Sequence, residues 1–163
     1  RTMSEIEIEN FKLINLNNFI ENFKNNYIPN SKNISLQFSL QKDNLNILVN
    51  EDKFFQVLLN LIENSISMAE SNSIILIKSI KINREYACLK IYDQGPGISS
   101  EYKDKIFLRF YSDREEFKNK HSGLGLSITK EIVGSFNGSI ELTESDESDF
   151  RGACFLIKLP LRM

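Results

Sequence analysis

Three groups of residues in this chain have the types and spacing to do chemistry. The first lies in residues 121–133, HSGLGLSITKEIV, where Gly123 and Gly125 lead into an apolar helical face of Leu124, Leu126, Ile128, Ile132 and Val133. Ser122 fits a helix N-cap, so the helix starts close to the glycine pair and presents free amides and the positive end of its dipole. Such an arrangement favours phosphate, although a G-x-G also opens ordinary loop-to-helix turns. The second group is DQGPGI, residues 93–98, directly after the alternating run EYACLKIYD. Alternation places Ala87, Leu89, Ile91 and Asp93 on one face of a strand and Tyr86, Cys88, Lys90 and Tyr92 on the other. A carboxylate on the apolar side needs a partner or a ligand, because burying it alone costs several kcal/mol. Gly95 and Gly97 around Pro96 permit a sharp turn and close backbone approach to a ligand, and a β-turn with a solvated Asp would use the same letters. The third group is on FFQVLLNLIENSISMA, residues 54–69, where Phe54, Leu58, Leu61, Ile62 and Ile66 make a helical apolar face. Asn60 and Asn64 stand one turn apart, so both side chains can reach one object. Their amide oxygens are hard neutral ligands suited to Mg²⁺ that also holds phosphate oxygens, while a solvated polar face is the plainer alternative.

These residues need elements to hold them. The hydrophobic pattern predicts a helix near 16–27, strands near 34–40 and 45–49, and the helix of the Asn pair from about 51 to 70. Strands follow near 73–82 and 86–93, then a loop over about 94–121, a helix to about 136, and strands near 138–144 and 152–159. The fold class is α+β, a two-layer sandwich in which one mixed sheet is covered on one face by helices, with Asp93 and the Asn pair between the layers. NKHSG and ESDESDF read as mobile polar loops.

Composition narrows the function. The 163 residues fit one domain, without repeats, and the formal charge of −2 argues against a nucleic-acid-binding surface. No apolar run approaches the roughly 20 residues that span a bilayer, and no secretory signal opens the chain. Cys88 and Cys154 lack metal-ligand spacing and are expected to be reduced thiols. His121 is the only histidine and lies in the glycine loop, where it reads as an exposed loop residue.

The order and spacing of these motifs resemble the catalytic, ATP-binding domain of bacterial sensor histidine kinases, within the superfamily that includes gyrase, heat-shock and mismatch-repair ATPases. NLIEN looks like the N box, DQGPGI the G1 box, IFLRFYSDR the F box, SGLGLSI the G2 box, and RGACFLIKLP the closing small-residue turn and final strand. The resemblance covers nearly the whole chain and implies a Bergerat-type fold with ATP and Mg²⁺ as ligands. It implies that Asn64 is the Mg²⁺ ligand with Asn60 its companion, that Asp93 hydrogen-bonds the adenine amino group, and that Gly95, Gly97 and Ile98 shape the base pocket. Ser122, Gly123, Leu124, Gly125 and Leu126 match the phosphate-contacting end of a lid spanning about 94–121. Phe107 and Phe110 look like lid anchors. Arg109 is similar to a basic residue approaching the phosphates or the partner domain, a role its permanently charged, two-pronged guanidinium suits, though a plain surface arginine fits as well.

Two departures accompany the match. Most sensor kinases carry Lys and an aromatic where this chain has Ser67 and Met68, and a Gly-Thr pair where it has His121 and Ser122. With YSDR before the lid, these departures look similar to an alphaproteobacterial branch of envelope-sensing kinases that regulate exopolysaccharide. Position 60 also bears on the reaction. Hydrolytic relatives carry Glu there as a base toward water, and the amide of Asn60 cannot accept a proton usefully near neutral pH. Glu63 lies about 100° around the helix from Asn64 and does not occupy that place. The resemblance therefore implies transfer of the ATP γ-phosphate to a histidine on a separate dimerisation domain absent from this chain. Residues 1–14 would be the linker from that phosphoacceptor hairpin and 15–163 the catalytic domain. A response regulator downstream, a monomeric isolated domain, a homodimeric parent and a cytoplasmic position beneath an inner-membrane sensor complete the expectation. Two alternatives stay open: a nucleotide-binding interaction module without transfer activity, and a serine kinase of the anti-sigma-factor type.

Overall fold

The same side-chain amide ends a strand and starts a helix twice in this fold. Asn15 closes strand β1 (Phe11–Asn15) and caps helix α1 (Leu16–Asn26), its side chain accepting the Asn18 amide at 3.1 Å. Asn50 closes β3 (Asn46–Asn50) and caps α2 (Glu51–Met68) through the Lys53 amide at 3.0 Å. Each cap satisfies one of the orphan amides at a helix start, and Glu51 and Asp52 in the first turn of α2 complement its dipole. The computed structural model describes residues 10–27, 33–108 and 125–162. Strands β1 and β3 pair antiparallel as a separate ribbon.

The main sheet holds β2 (Ser35–Leu40), β4 (Ile74–Lys81), β5 (Tyr86–Tyr92), β6 (Ser139–Thr143) and β7 (Cys154–Pro160) in the order β2-β4-β5-β7-β6. Only β2 and β4 run parallel, and α2 lies in the crossover between the β3 ribbon and β4. Two 3₁₀ turns, Ser100–Tyr102 and Lys105–Phe107, follow β5, and helix α3 (Gly125–Ser135) leads into β6. It ends in a Schellman-type turn, with the Gly138 amide donating to the Val133 carbonyl and Asn137 at φ 60°. This is the α+β sandwich that the hydrophobic pattern predicts, and the element bounds agree to within two or three residues.

Helices pack on one face of the sheet. Phe19 of α1 and Phe54 of α2 stack with centroids 4.5 Å apart, and Phe136 meets Phe54 edge-on at 5.9 Å. Ile75, Ile77, Ala87, Leu89, Ile91, Phe155 and Ile157 supply the sheet side of that core. The opposite face buries a smaller cluster of Leu76, Tyr92, Phe150 and Cys154. Both cysteines are buried and free of disulfide, and desolvation pushes the Cys88 thiol up to about 12, so it stays protonated. Among the described residues no helix is long and apolar enough to cross a membrane.

Two segments differ from the sequence expectation. Residues 11–14, expected in a leading linker, belong to β1, because their backbone pairs with β3 even though their burial shows no two-residue alternation. The ESDESDF loop is docked on the outer face of the sheet, with Phe150 buried and Asp146 and Glu147 paired with lysines of β5 and β4. NKHSG lies outside the described residues.

The stacked aromatic core makes a stability prediction. Phe54→Ala should cost about 3–5 kcal/mol of unfolding free energy, as for other buried large-to-small aromatic changes. Leu13, which is 55% exposed on the ribbon, should tolerate Ala within about 0.5 kcal/mol. Urea denaturation of both variants checks the contrast.

Candidate functional site

Asp93 is the first residue beyond β5, and the strand's alternation turns it toward the helices with only 3% of its surface exposed. Its Oδ1 accepts two backbone amides, from Gly95 at 3.0 Å and from Ala153 at 2.9 Å. The Asp93 backbone is tied to the same turn, its amide donating to the Ala153 carbonyl and its carbonyl accepting the Gly152 amide at 3.0 Å. Burial pushes the carboxyl pKa up, and the two amides and the Ser65 hydroxyl partly offset this by stabilising the charged form. Ser65 is wholly buried, and among the described residues its hydroxyl makes no hydrogen bond of ordinary geometry, so it acts on the carboxylate as a nearby dipole. Among the described residues Asp93 Oδ2 has no hydrogen-bond partner and can accept one from a ligand.

The turn around Asp93 depends on glycine at two places. Gly97 has φ 78°, in the left-handed region. A Cβ on Gly152 would lie 1.9 Å from Asp93 Oδ1 and 2.7 Å from the Gly95 amide, so no side chain fits there. Gly95 is engaged through its amide, and Ile98 packs half-buried against the core. Beside this turn a cavity of about 600 Å³ is lined by Gly97, Ile98, Lys103, Thr143, Arg151 and Gly152 among others, without Asp93, Asn60 or Asn64 in its wall.

The Asn pair sits on α2 as the spacing predicts, both side chains half-buried. Asn60 Nδ2 approaches Thr129 Oγ1 at 3.4 Å, and the Thr129 hydroxyl donates to the Gly125 carbonyl at 2.8 Å, so Asn60 is linked to the first turn of α3. Asn64 accepts the Ser67 hydroxyl on its backbone carbonyl at 2.7 Å, while its side-chain amide makes no hydrogen bond among the described residues. Glu63 is exposed, and the Tyr27 phenol pKa is raised by burial and, to a lesser extent, by the Glu63 charge. Among the described residues no three His, Cys, Asp or Glu side chains gather as a metal site. The donor set fits Mg²⁺ only in the form that rests on the neutral Asn64 oxygen and on ligand phosphates.

Gly125 begins α3, and Leu126 is half-buried against the core. Phe107 is buried edge-on to Phe155 at 6.3 Å, with the Lys130 ammonium 5.6 Å from its ring centroid. Arg109, Phe110, Ser122, Gly123 and Leu124 lie outside the described residues. Two residues at this site, Ser65 and Thr129, were not singled out in the sequence, and Gly152 and Ala153 were read only as part of the small-residue turn before the final strand. Ser65 left one signal, a small polar residue inside the apolar stripe of α2, and the Gly-Ala pair before β7 left another.

Comparison with known proteins agrees with this geometry. Residues 49–163 match the family model described as histidine kinase-, DNA gyrase B-, and HSP90-like ATPase. Histidine kinase P4 of Formosa agariphila is 34% identical over 134 residues, 79% of this chain and 10% of that protein. Sensor protein ChvG of Rhizobium meliloti is 38% identical over 110 residues, 64% of this chain and 19% of that protein. The chain thus spans a tenth to a fifth of the length of these two curated relatives. The solved catalytic domain of histidine kinase ThkA superposes with a TM-score of 0.73 at 26% identity, covering 93% of this chain and 95% of that one. ThkA has also been solved in complex with the response regulator protein TrrA.

Two outcomes are expected from the buried carboxylate. Gly152→Ala should destabilise the fold by about 1–3 kcal/mol, the range of overpacked cores, and urea denaturation measures it. Asp93→Asn should be more stable than wild type at neutral pH, since it removes a desolvated charge. The folded pKa of Asp93 lies above its ordinary value of 3.8, so the native state takes up a proton between the two. The wild-type deficit is therefore full above the folded pKa and shrinks as pH falls through it toward 3.8. Paired urea titrations across pH read this difference.

Proposed function

The chain belongs to the histidine kinase-, DNA gyrase B- and HSP90-like ATPase family, and from that premise we propose that it is the ATP-binding catalytic unit of a sensor histidine kinase. The observation that carries the reading is Asp93: a buried carboxylate locked by two amides on one oxygen, with the other oxygen left to accept a ligand hydrogen bond. An exocyclic amino group such as that of adenine is the matching donor, and the raised pKa of Asp93 is tolerable because that bond stabilises its charged form.

The remaining residues assign themselves around that anchor. Asn64, with Asn60 beside it, would hold Mg²⁺, which when bound neutralises phosphate charge and aligns the γ-phosphoryl group. The first turn of α3 carries the positive end of a helix dipole toward the phosphates, and the Asn60–Thr129 contact keeps that turn in register with α2. The motif match gives Ser122, Gly123 and Leu124 a phosphate-contacting role, Phe107 and Phe110 a lid-anchoring role, and Arg109 a role toward the phosphates or the partner domain. The chain's own work is to bind, orient and exclude water. Because position 60 is an amide, the chain does not deprotonate a water, and the phosphoryl group passes to a histidine on a separate dimerisation domain. That histidine in turn serves a response regulator, in a homodimeric parent whose catalytic unit lies in the cytoplasm beneath a membrane sensor.

One observation favours a second reading. Ser67 stands where most sensor kinases carry Lys, and its hydroxyl bonds the Asn64 carbonyl of its own helix. A domain lacking that cation would bind nucleotide yet transfer poorly. Calorimetry with ATP and a non-hydrolysable analogue, followed by phosphotransfer to an added phosphoacceptor hairpin, separates the readings. Binding with acid-labile histidine phosphorylation supports the kinase, binding without transfer supports the interaction module, and no binding overturns both.

Two variants sharpen the assignment. Asp93→Ala should weaken nucleotide binding by about 1.5–3 kcal/mol, the worth of a charge-assisted hydrogen bond. Calorimetry that finds unchanged affinity removes Asp93 from the base pocket. Asn64→Asp should perturb Mg²⁺-dependent transfer more than Mg²⁺-free nucleotide binding, and equal effects in a metal titration would count against the ligand role.

A further inference from the structure

We propose that residues 144–150 are a charge-clamped strap on the outer face of the sheet that sets the position of the Ala153 amide, making Asp146 and Glu147 positioning residues for nucleotide affinity. The inference rests on the reading of Asp93 as the base-recognition group.

The clamp answers a problem in the sheet itself. Lys78 of β4 and Lys90 of β5 are register partners, so two ammonium groups stand directly across from each other, an arrangement that is destabilising without counter-charge. The strap supplies that charge. Glu147 accepts Lys78 Nζ at 2.6 Å, and Asp146 accepts Lys90 Nζ at 3.3 Å and the Tyr92 hydroxyl at 2.5 Å. The Tyr92 bond and the Lys90 ammonium hold the Asp146 carboxyl below its ordinary pKa.

From the clamp to the carboxylate the path is short. Phe150 turns back on the Glu147 carbonyl through its amide and buries its ring beside Tyr92 and Cys154. Gln94 adds a tether next to Asp93, its Oε1 accepting the Ile74 amide at 2.8 Å and its Nε2 donating to the Asp149 carbonyl at 3.1 Å. Gly152 and Ala153 follow, and their amides bond the Asp93 carbonyl and Oδ1. Gly152 lies so close to Asp93 that a Cβ there would stand 1.9 Å from Oδ1, so a shift of the strap would move the Ala153 amide relative to the carboxylate. Glu144 and Ser145, at the other end of the strap, also wall the cavity beside Gly97 and Gly152.

The test uses the chain as it stands, with Asp146→Asn, Glu147→Gln and the double variant, and Asp43→Asn as a charge-removal control away from the strap. Amide hydrogen exchange at Gly95 and Ala153 is measured by NMR, and the dissociation constant of a non-hydrolysable ATP analogue by calorimetry. The expected result for the double variant is selectively faster exchange at Ala153 and Gly95, with nucleotide affinity weakened about fivefold, a scale consistent with two partly exposed ion pairs. The gap to wild type should close as salt screens the wild-type clamp, and Asp146→Glu should recover most of the affinity. Unchanged exchange at Ala153 in the double variant overturns the proposal. So does a rise spread evenly over the β-strands, which marks a merely structural role. If wild type binds no nucleotide, the kinase reading falls, and exchange at Ala153 alone still decides whether the strap sets that amide.

Discussion

A carboxylate held out of water at the end of a β-strand is the constraint from which the rest of this structure follows. Its charge is tolerable only because backbone amides from two different segments converge on one oxygen. One segment is the turn immediately after β5, whose reversal places Gly97 at positive φ. The other is the approach to β7, sixty residues later, which must come so near that position 152 has no space for a side chain. Backbone donors suit this role because they have no side-chain rotamer of their own to freeze.

Helices α2 and α3 meet through a polar contact between Asn60 and Thr129. Thr129 is buried on α3 and satisfies its hydroxyl on the carbonyl of Gly125, one turn back along its own helix, while standing within reach of Asn60. Ser65 repeats the theme on α2, a small polar group in an apolar stripe. These groups are more exacting than hydrophobic ones, since each tolerates few arrangements of its neighbours. Apolar packing alone would hold α2 against α3, and the Asn60–Thr129 contact adds a directional constraint on their register.

The parts of this design that rest on local pattern could be read from the sequence. Alternation in β5 faced Asp93 inward, helical spacing brought Asn60 and Asn64 together, and the order of the glycine motifs tied them to one fold. What escaped depends on partners far away in the chain. Residues 11–15 show no alternation, because their place is fixed by pairing with β3 rather than by a buried face. ESDESDF has the composition of a solvated loop, and only Lys78, Lys90 and an apolar slot for Phe150, all on distant strands, give it somewhere to bind. The need for glycine at 152 is likewise invisible until β7 lies beside β5. Residues 109–124, where Arg109, Phe110 and most of the glycine loop fall, are not described.

The place of β7 in the sheet also governs when the site can exist. The last of the described strands, β7, is inserted between β5 and β6 and does not sit at an edge. Until it docks, β5 has a bare flank and Asp93 lacks the amide of Ala153, so the carboxylate has no reason to leave water. The environment of Asp93 is therefore complete only after the segment that carries β7 has been made and has paired with β5. Closing that long loop is entropically slow, which places the docking of β7 among the late steps of folding.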